Sequence, residues 1–328
     1  MGAQILHTTL IRDLAVAAGA AQIQRDLPVN PISGLIVTLK AANNGASPLI
    51  AQFWDDWDDK YTSWRITYRG ATIIQGGTAD LWMAMALREG QVPSRAQVTQ
   101  PDNDITSLTF PILFGRRLYD AVECFPATRR GDLVLTIDHA ADAGELDTHI
   151  LQVETIELLD ARPRRFCKTT TISQIMAIAG ENVIELPVGN ALLGALLRPL
   201  VFPTGASFAS SFGEIALRLD NVELIEARRN WESAQGMLAR RIDPTWSQLR
   251  HTHAFEPVAG VLTLDVQQDE ERAQAYAYLD WDPLNDGAYA VETRGAAHVQ
   301  LAMVSDQADA TASRVLPIEL VELGGDGG

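Results

Sequence analysis

The sequence predicts an all-β protein made of two successive antiparallel sandwiches, and three observations carry that expectation. Segments such as Trp64-Arg65-Ile66-Thr67-Tyr68, Leu133-Val134-Leu135-Thr136-Ile137 and Ile215-Ala216-Leu217-Arg218-Leu219 alternate with period two, the mark of half-buried strands. Turn signals punctuate them at Asn43-Asn44-Gly45, Arg69-Gly70, Arg130-Gly131-Asp132, Asp220-Asn221 and Asn285-Asp286-Gly287. Landmarks of the first half recur in order in the second. Many short strands at even spacing point to a sandwich or barrel, and about eight antiparallel strands per half fit a jelly roll. The expected fold class is therefore all-β, with two consecutive eight-stranded jelly rolls, each carrying a flanking helix, plus an N-terminal helical arm.

In chain order, residues 1–25 form the arm, because a helix over residues 5–18 would place Leu6, Leu10, Leu14 and Ala17 on one face. Residues 26–161 form roll 1, interrupted by a helix from Thr78 that stops near Gly90. Residues 162–182 form a linker that opens on the basic Arg162-Pro163-Arg164-Arg165 and contains a short helix over 171–179, stopped by Gly180. Residues 183–323 form roll 2, with a helix near Trp231 that ends in Arg240-Arg241. Residues 324–328 form a flexible Gly-rich tail.

The duplication rests on paired landmarks. Leu27-Pro28-Val29-Asn30 with Gly34 recurs as Leu186-Pro187-Val188-Gly189 with Gly194. The hairpin Ile66-Thr67-Tyr68-Arg69-Gly70 recurs as Leu217-Arg218-Leu219-Asp220-Asn221, and the helices at Trp82 and Trp231 follow them. Phe110 with Gly115 is matched to Phe255 with Gly260, and the strand from Val153 to the one from Ile318. Offsets vary between the pairs because strands keep their places while loops change length.

Composition narrows function. The 328 residues hold 26 Lys+Arg against 42 Asp+Glu, a formal charge of −16. Bare nucleic acid calls for clustered basic residues, so direct nucleic-acid binding is not expected. Cys124 and Cys167 stand outside any CxxC pair, which predicts free thiols made in a reducing cytoplasm. The longest apolar stretch, near Leu192, is broken by Arg198 and Pro199, so no bilayer-spanning helix is expected. Leu6 breaks the myristoylation pattern, and Arg12 and Asp13 interrupt any signal-peptide core.

The paired landmarks, the two hairpins and the helices at Trp82 and Trp231 together resemble the double jelly-roll major capsid proteins of tailless icosahedral viruses with an internal membrane, of the bacteriophage type. The resemblance rests on architecture over nearly the whole chain. It implies homotrimeric, pseudo-hexameric capsomers that tile a virion shell, synthesis in a host cytoplasm, and no enzymatic activity. Implied partners are other copies of the chain, vertex (penton), minor capsid or membrane proteins, and lipid at the inner face. Leu6, Leu10 and Leu14 would then lie on an inward-facing arm, whose low basic content suits lipid or protein rather than a naked genome.

Chemistry-bearing clusters give the competing expectations. Asp55, Asp56, Asp58 and Asp59 alternate in pairs with Trp54 and Trp57 and read as an exposed acidic loop that could take Ca²⁺, although the spacing is not that of an EF-hand. Tryptophan beside paired acids also suits a carbohydrate-active enzyme or lectin built from two sandwiches. His251 and His253 at i and i+2 of a strand, with Glu256, are similar to the metal-binding HxH of cupins, which are also jelly rolls, but depart from the cupin spacing. Asp280-Trp281-Asp282-Pro283 reads as a surface turn, and no nucleophile elbow, P-loop or dinucleotide fingerprint is present.

Overall fold

The computed structural model describes residues 4–44, 53–89, 103–142, 146–176, 179–201, 210–223, 228–241, 251–258, 261–267, 275–308 and 312–324, with backbone alone for 53–56, 239, 251–258 and 261–267. Roll 1 takes eight strands in chain order: β1 (Gln4–Ala15), β2 (Ala21–Asp26), β3 (Ile32–Asn43), β4 (Ser63–Tyr68), β5 (Ala71–Gly76), β6 (Ile105–Leu113), β7 (Leu133–His139) and β8 (Leu146–Leu159). They pair in the orders β1-β8-β3-β6 and β2-β7-β4-β5. First beside eighth in one layer and second beside seventh in the other is the jelly-roll arrangement.

Roll 2 repeats this wiring. Its strands are β9 (Arg165–Thr169), β10 (Ile172–Gln174), β11 (Gly180–Glu185), β12 (Ala191–Arg198), β13 (Glu214–Leu219), β14 (Val222–Glu223), β15 (Arg229–Asn230), β16 (His251–Val258), β17 (Val261–Gln267), β18 (Ala277–Asp280), β19 (Val299–Ser305) and β20 (Ser313–Glu322). The layers run β9-β20-β12-β18, with β10 also on β20, and β11-β19-β13-β14, with β15 also on β13. Among the described residues the β16–β17 hairpin pairs only with itself and has no partner strand in either layer.

One contact orients the two rolls. β5 pairs β9 in parallel at Ile74 and Thr169, joining a layer of each roll into one nine-stranded sheet. Among the described residues every other strand-to-strand pairing is antiparallel, so connections alternate between the two ends of each roll. A parallel junction therefore stands the rolls side by side, the same way up. The upper end carries α1 (Phe53–Lys60), α3 (Trp231–Gly236), the β16–β17 hairpin and the start of α2 (Thr78–Glu89), whose last turn reaches the other end, where Arg88 donates to the Leu113 and Gly115 carbonyls. The lower end carries the turns β2–β3 and β11–β12 and the long connections β6–β7 and β18–β19.

The repeat extends to irregularities. Register slips between Ile32 and Gly34 in β3, and between Leu192 and Gly194 in β12. Ile32 bridges Phe125 and Leu192 bridges Val291, in matching connections. A Cβ on Gly34 would stand 2.9 Å from the Ile112 carbonyl oxygen, and one on Gly194 would stand 2.6 Å from that of Leu279, so each bulge needs glycine. Asn30 Nδ2 donates to Glu157 Oε2 at 2.6 Å and Asn190 Nδ2 to Glu319 Oε2 at 2.7 Å. Since Gly34 faces Ile156 and Gly194 faces Ile318, the last strands align Ile156 with Ile318, not Val153 with Ile318. Phe255 also fails as a partner of Phe110: it lies in β16, whereas the counterpart of β6 is β18.

Three expected elements are overturned. The N-terminal helical arm is instead β1 and β2, laid into the two layers of roll 1. Leu6, Leu10 and Leu14 are four apart, and because four is even, that spacing keeps one face in a strand as well as in a helix. The β-branched Thr8, Thr9 and Ile11 favour the strand. The expected linker helix over 171–179 gives way to β10, following the β-branched run Thr169-Thr170-Thr171-Ile172. The expected acidic loop contains α1, whose Trp57 and Lys60 are buried along with Tyr61 just beyond it. Lys60 Nζ donates to the Ala17 and Ala140 carbonyls (2.8 and 3.0 Å) and to Asp142 (2.5 Å), satisfying all three of its protons and fastening α1 over the upper end of roll 1.

Two cores result. One fills roll 1 and reaches Leu193, Leu196, Tyr276, Tyr278, Leu316, Ile318 and Leu320 of roll 2; the other holds Leu192, Ala195, Leu197, Ala277, Leu279 and Val315 with the rest of roll 2. β12, β18 and β20 are thus buried on both faces. This accounts for the unbroken apolar run Leu192-Leu193-Gly194-Ala195-Leu196-Leu197, where a half-solvated strand would alternate.

Candidate assembly surface

The functional geometry begins at the junction between the rolls, where a buried ionic cluster sits at each end. The upper cluster centres on Asp80, fully buried in the first turn of α2. Arg198 Nη1 from the end of β12 donates to Asp80 Oδ1 (2.9 Å) and to Asp58 Oδ2 (3.0 Å); Arg314 Nη1 from β20 donates to Asp80 Oδ2 (2.7 Å). The Tyr276 hydroxyl donates to Asp80 Oδ1 at 2.6 Å, and the Arg198 guanidinium lies 5.6 Å over the Tyr276 ring. Burial alone would depress Arg198, but Tyr276, Asp80 and Asp58 hold its pKa above the ordinary arginine value. Burial likewise raises the Tyr276 phenol, keeping it a donor. Asp58 also caps α2, accepting from the Ala79 N–H at 2.9 Å. Thr78, the expected cap, is spent otherwise: its hydroxyl donates to the Tyr61 carbonyl (2.8 Å) and accepts from Trp64 Nε1 (3.0 Å).

The lower cluster centres on Arg116 in the β6–β7 connection. Its guanidinium is paired bidentately with Glu123, and Nη1 donates to Asp282 of roll 2 at 2.8 Å. Arg165 Nε adds an ion pair to Glu123 at 2.6 Å. Burial would raise the Glu123 carboxyl, but Arg116 and Arg165 hold it below the usual carboxylate range. Arg241 binds the next turn, with Nε to Asp280 Oδ2 at 2.7 Å and Nη2 to the Asp282 carbonyl at 2.6 Å. The segment expected to be a surface turn at Asp280-Trp281-Asp282-Pro283 is therefore largely interior, with Trp281 and Asp282 both buried. Sequence reasoning did not single out these junction charges. The available signals were an acid at the head of the apolar run Leu81–Leu87 of α2 and an arginine closing the apolar run of β12.

Outward-facing groups recur in both rolls. Val29 and Val188 are exposed on matching lower turns, Tyr119 and Val122 on the β6–β7 connection, and Leu284 and Tyr289 on the β18–β19 connection. Exposed basic residues Arg69, Arg117, Arg129, Arg130, Arg162 and Arg164 gather at the same end of roll 1. On the edge strand β1, Ile5 and Leu6 are exposed, whereas Leu10 and Leu14 pack on the core. The three leucines of the expected arm are therefore split between solvent and interior.

The metal candidates do not converge. Both oxygens of Asp58 already accept from protein donors, and Asp59 faces solvent. The side chains of Asp55 and Asp56, and those of His251 and His253 in β16, lie outside the described residues. Among the described residues no group of three or more His, Cys, Asp or Glu side chains could hold a metal ion. The described tryptophans Trp57, Trp64, Trp82, Trp231 and Trp281 are all buried, which removes them as a sugar-stacking platform. An open groove of about 610 Å³ lies at the lower junction, lined by Val122, Arg164, Arg165, Glu322 and Leu323, with one carboxylate and no aromatic ring. Cys124 and Cys167 are free and buried, and burial pushes the Cys124 thiol up to about 12. Among the described residues no helix is long and apolar enough to cross a membrane.

No family model matches the chain, and no curated protein matches it. Solved structures do. The STIV major capsid protein is 14% identical and aligns over 97% of this chain and 97% of its own, with a TM-score of 0.66. The major capsid protein P2 from bacteriophage PM2 is 10% identical over 99% of this chain and 100% of its own, with a TM-score of 0.60. The quasi-atomic model of the PBCV-1 virus capsid gives 9% identity, 97% and 93% coverage, and a TM-score of 0.57. At such identities the likeness is one of fold, and it takes in both rolls and the junction between them: the chain has the double jelly-roll fold of the major capsid proteins.

Proposed function

We propose that this chain is the major capsid protein of an icosahedral virus and works by association rather than catalysis. The observation that carries the reading is the duplicated block itself: two rolls the same way up, clasped at both ends, presenting matched apolar residues on matched connections. A subunit with two near-equivalent lateral faces forms a six-sided tile when three copies close into a ring. Val29, Tyr119 and Val122 of one copy would meet Val188, Leu284 and Tyr289 of the next, burying apolar surface within a polar rim. The exposed edge strand β1 offers a second contact.

The lower end, with its exposed arginines, is the inner face in this reading, toward anionic head groups or minor capsid and membrane proteins. The remaining chain is strongly acidic and repels neighbouring copies until cations or high concentration overcome it. Vertex proteins would complete the shell, the virion is the site of action, and the genome is not contacted directly.

Light scattering on size-exclusion fractions across salt and divalent-cation series tests the reading. Trimers of the 35.8 kDa chain, or closed particles, are expected. A monomer that persists at high concentration under every condition would sink it.

A further inference from the structure

In roll 2 the Asn–Glu pair of the repeat has a third member. Glu319 lies on β20 between β9 and β12, 1% exposed. Lys168 stands opposite it on β9 and donates from Nζ to Oε1 at 2.8 Å, while Asn190 Nδ2 donates to Oε2 at 2.7 Å. Asn190 is held in place by its own backbone: its carbonyl accepts from the Thr293 hydroxyl at 2.5 Å, and that hydroxyl accepts from the Gly189 N–H at 2.9 Å. A primary amine and a carboxamide thus share the two oxygens of one buried carboxylate.

Roll 1 isolates what the third member adds. Asn30 binds Glu157 in the same way, and Glu157 is equally buried, but the residue opposite Glu157 on β1 is Leu6. The Asn–Glu pair therefore has a role in the fold, tying the turn before the third strand to the eighth. The amine belongs to roll 2 alone, and the fold does not require it.

We propose that Lys168 and Asn190 become joined by an intramolecular isopeptide bond, with Glu319 as the catalytic acid–base. The Lys168 ammonium, 2.8 Å from Oε1, passes a proton to the Glu319 carboxylate. The freed Nζ lone pair attacks Asn190 Cγ, the C–N bond forms, and the carbonyl π pair moves onto Oδ1. Glu319 returns its proton to Nδ2, and the Cγ–Nδ2 bond breaks as the carbonyl re-forms. Ammonia leaves and takes up the proton that the new amide nitrogen sheds. One ammonium ion is released per amide, Glu319 ends as a carboxylate, and no oxidant, metal or cofactor is consumed. Positioning supplies the rate, because both reactants are already held on one side chain. The product is a covalent tie across β20, from the first strand of roll 2 to the turn before its third main strand.

Intact mass spectrometry of the full chain, incubated at neutral pH after purification, tests this. The protein should be about 17 Da lighter than its sequence mass, the loss of one ammonia, and digestion should yield one branched peptide containing Lys168 and Asn190. Lys168→Arg keeps a cation on Glu319 and should fold with the full mass; Glu319→Gln should do the same if it folds. Full mass in the natural sequence, with Lys168 and Asn190 in separate peptides, would leave a plain ion pair and overturn the proposal. So would an unchanged mass deficit in Lys168→Arg, which would place the lost ammonia elsewhere.

Discussion

Helices α2 and α3 occupy the same connection of the two rolls, yet they have opposite fates. In α2 every residue from Thr78 to Arg88 is buried, whereas α3 buries only Trp231 and Ala234. Both keep a buried tryptophan. The difference is that α2 also faces a second roll, which covers its outer side and supplies Arg198, Arg314 and Tyr276 to Asp80. The neighbouring roll, rather than helix propensity, decided which copy became interior. One duplicate is a spine and the other a lid.

The sharpest way to break that comparison is at the charges. Asp80→Ala takes their acceptor from Arg314 and the Tyr276 phenol, leaves Arg198 with Asp58 alone, and should cost about 3–5 kcal/mol. Glu232→Ala, in the exposed first turn of α3, should stay within about 0.5 kcal/mol. Equal shifts in denaturation midpoint for the two variants would refute the spine-and-lid distinction. Next come the tryptophans, each worth about 3–5 kcal/mol on truncation to alanine. Amide exchange separates them: Trp82→Ala should deprotect β12 and β20 as well as roll 1, whereas Trp231→Ala should leave roll 1 unchanged.

The bulge glycines give a smaller effect. Gly34→Ala and Gly194→Ala each force a methyl onto a carbonyl oxygen and should cost about 1–3 kcal/mol, more at Gly194, where the approach is closer. Chemical denaturation of the two variants checks the order. The smallest effect is with pH. Glu123 has a lower pKa folded than unfolded, so its contribution is complete above the ordinary carboxylate value and is lost as pH falls through the folded one. Stability measured against pH should decline on that acidic side, and Glu123→Gln should flatten the slope.

Much of this was readable in the chain. Leu27-Pro28-Val29 and Leu186-Pro187-Val188 do mark the same turn, and the two hairpins and two tryptophan helices correspond as expected. The arm was misread because Leu6, Leu10 and Leu14 fall at a spacing common to helix and strand, and only pairing with β8 decides between them. The acidic run near Trp57 was misread as a loop because nothing local reveals that Asp58 serves another helix's N-terminus. The ionic clusters were hidden for a related reason. Asp80 lies 234 residues from Arg314, and Arg116 lies 166 from Asp282, so no window along the sequence holds both members.

The parallel pairing of β5 with β9 has a consequence for any array built from this chain. Had the second roll been inverted, the block would be palindromic, with like ends on both surfaces, and a layer of such blocks could not tell concave from convex. With both rolls upright, each molecule carries a direction. Every neighbour that matches its flanks must share that direction, so a growing sheet inherits one handed, two-faced character from one backbone pairing, before any partner or template has acted on it.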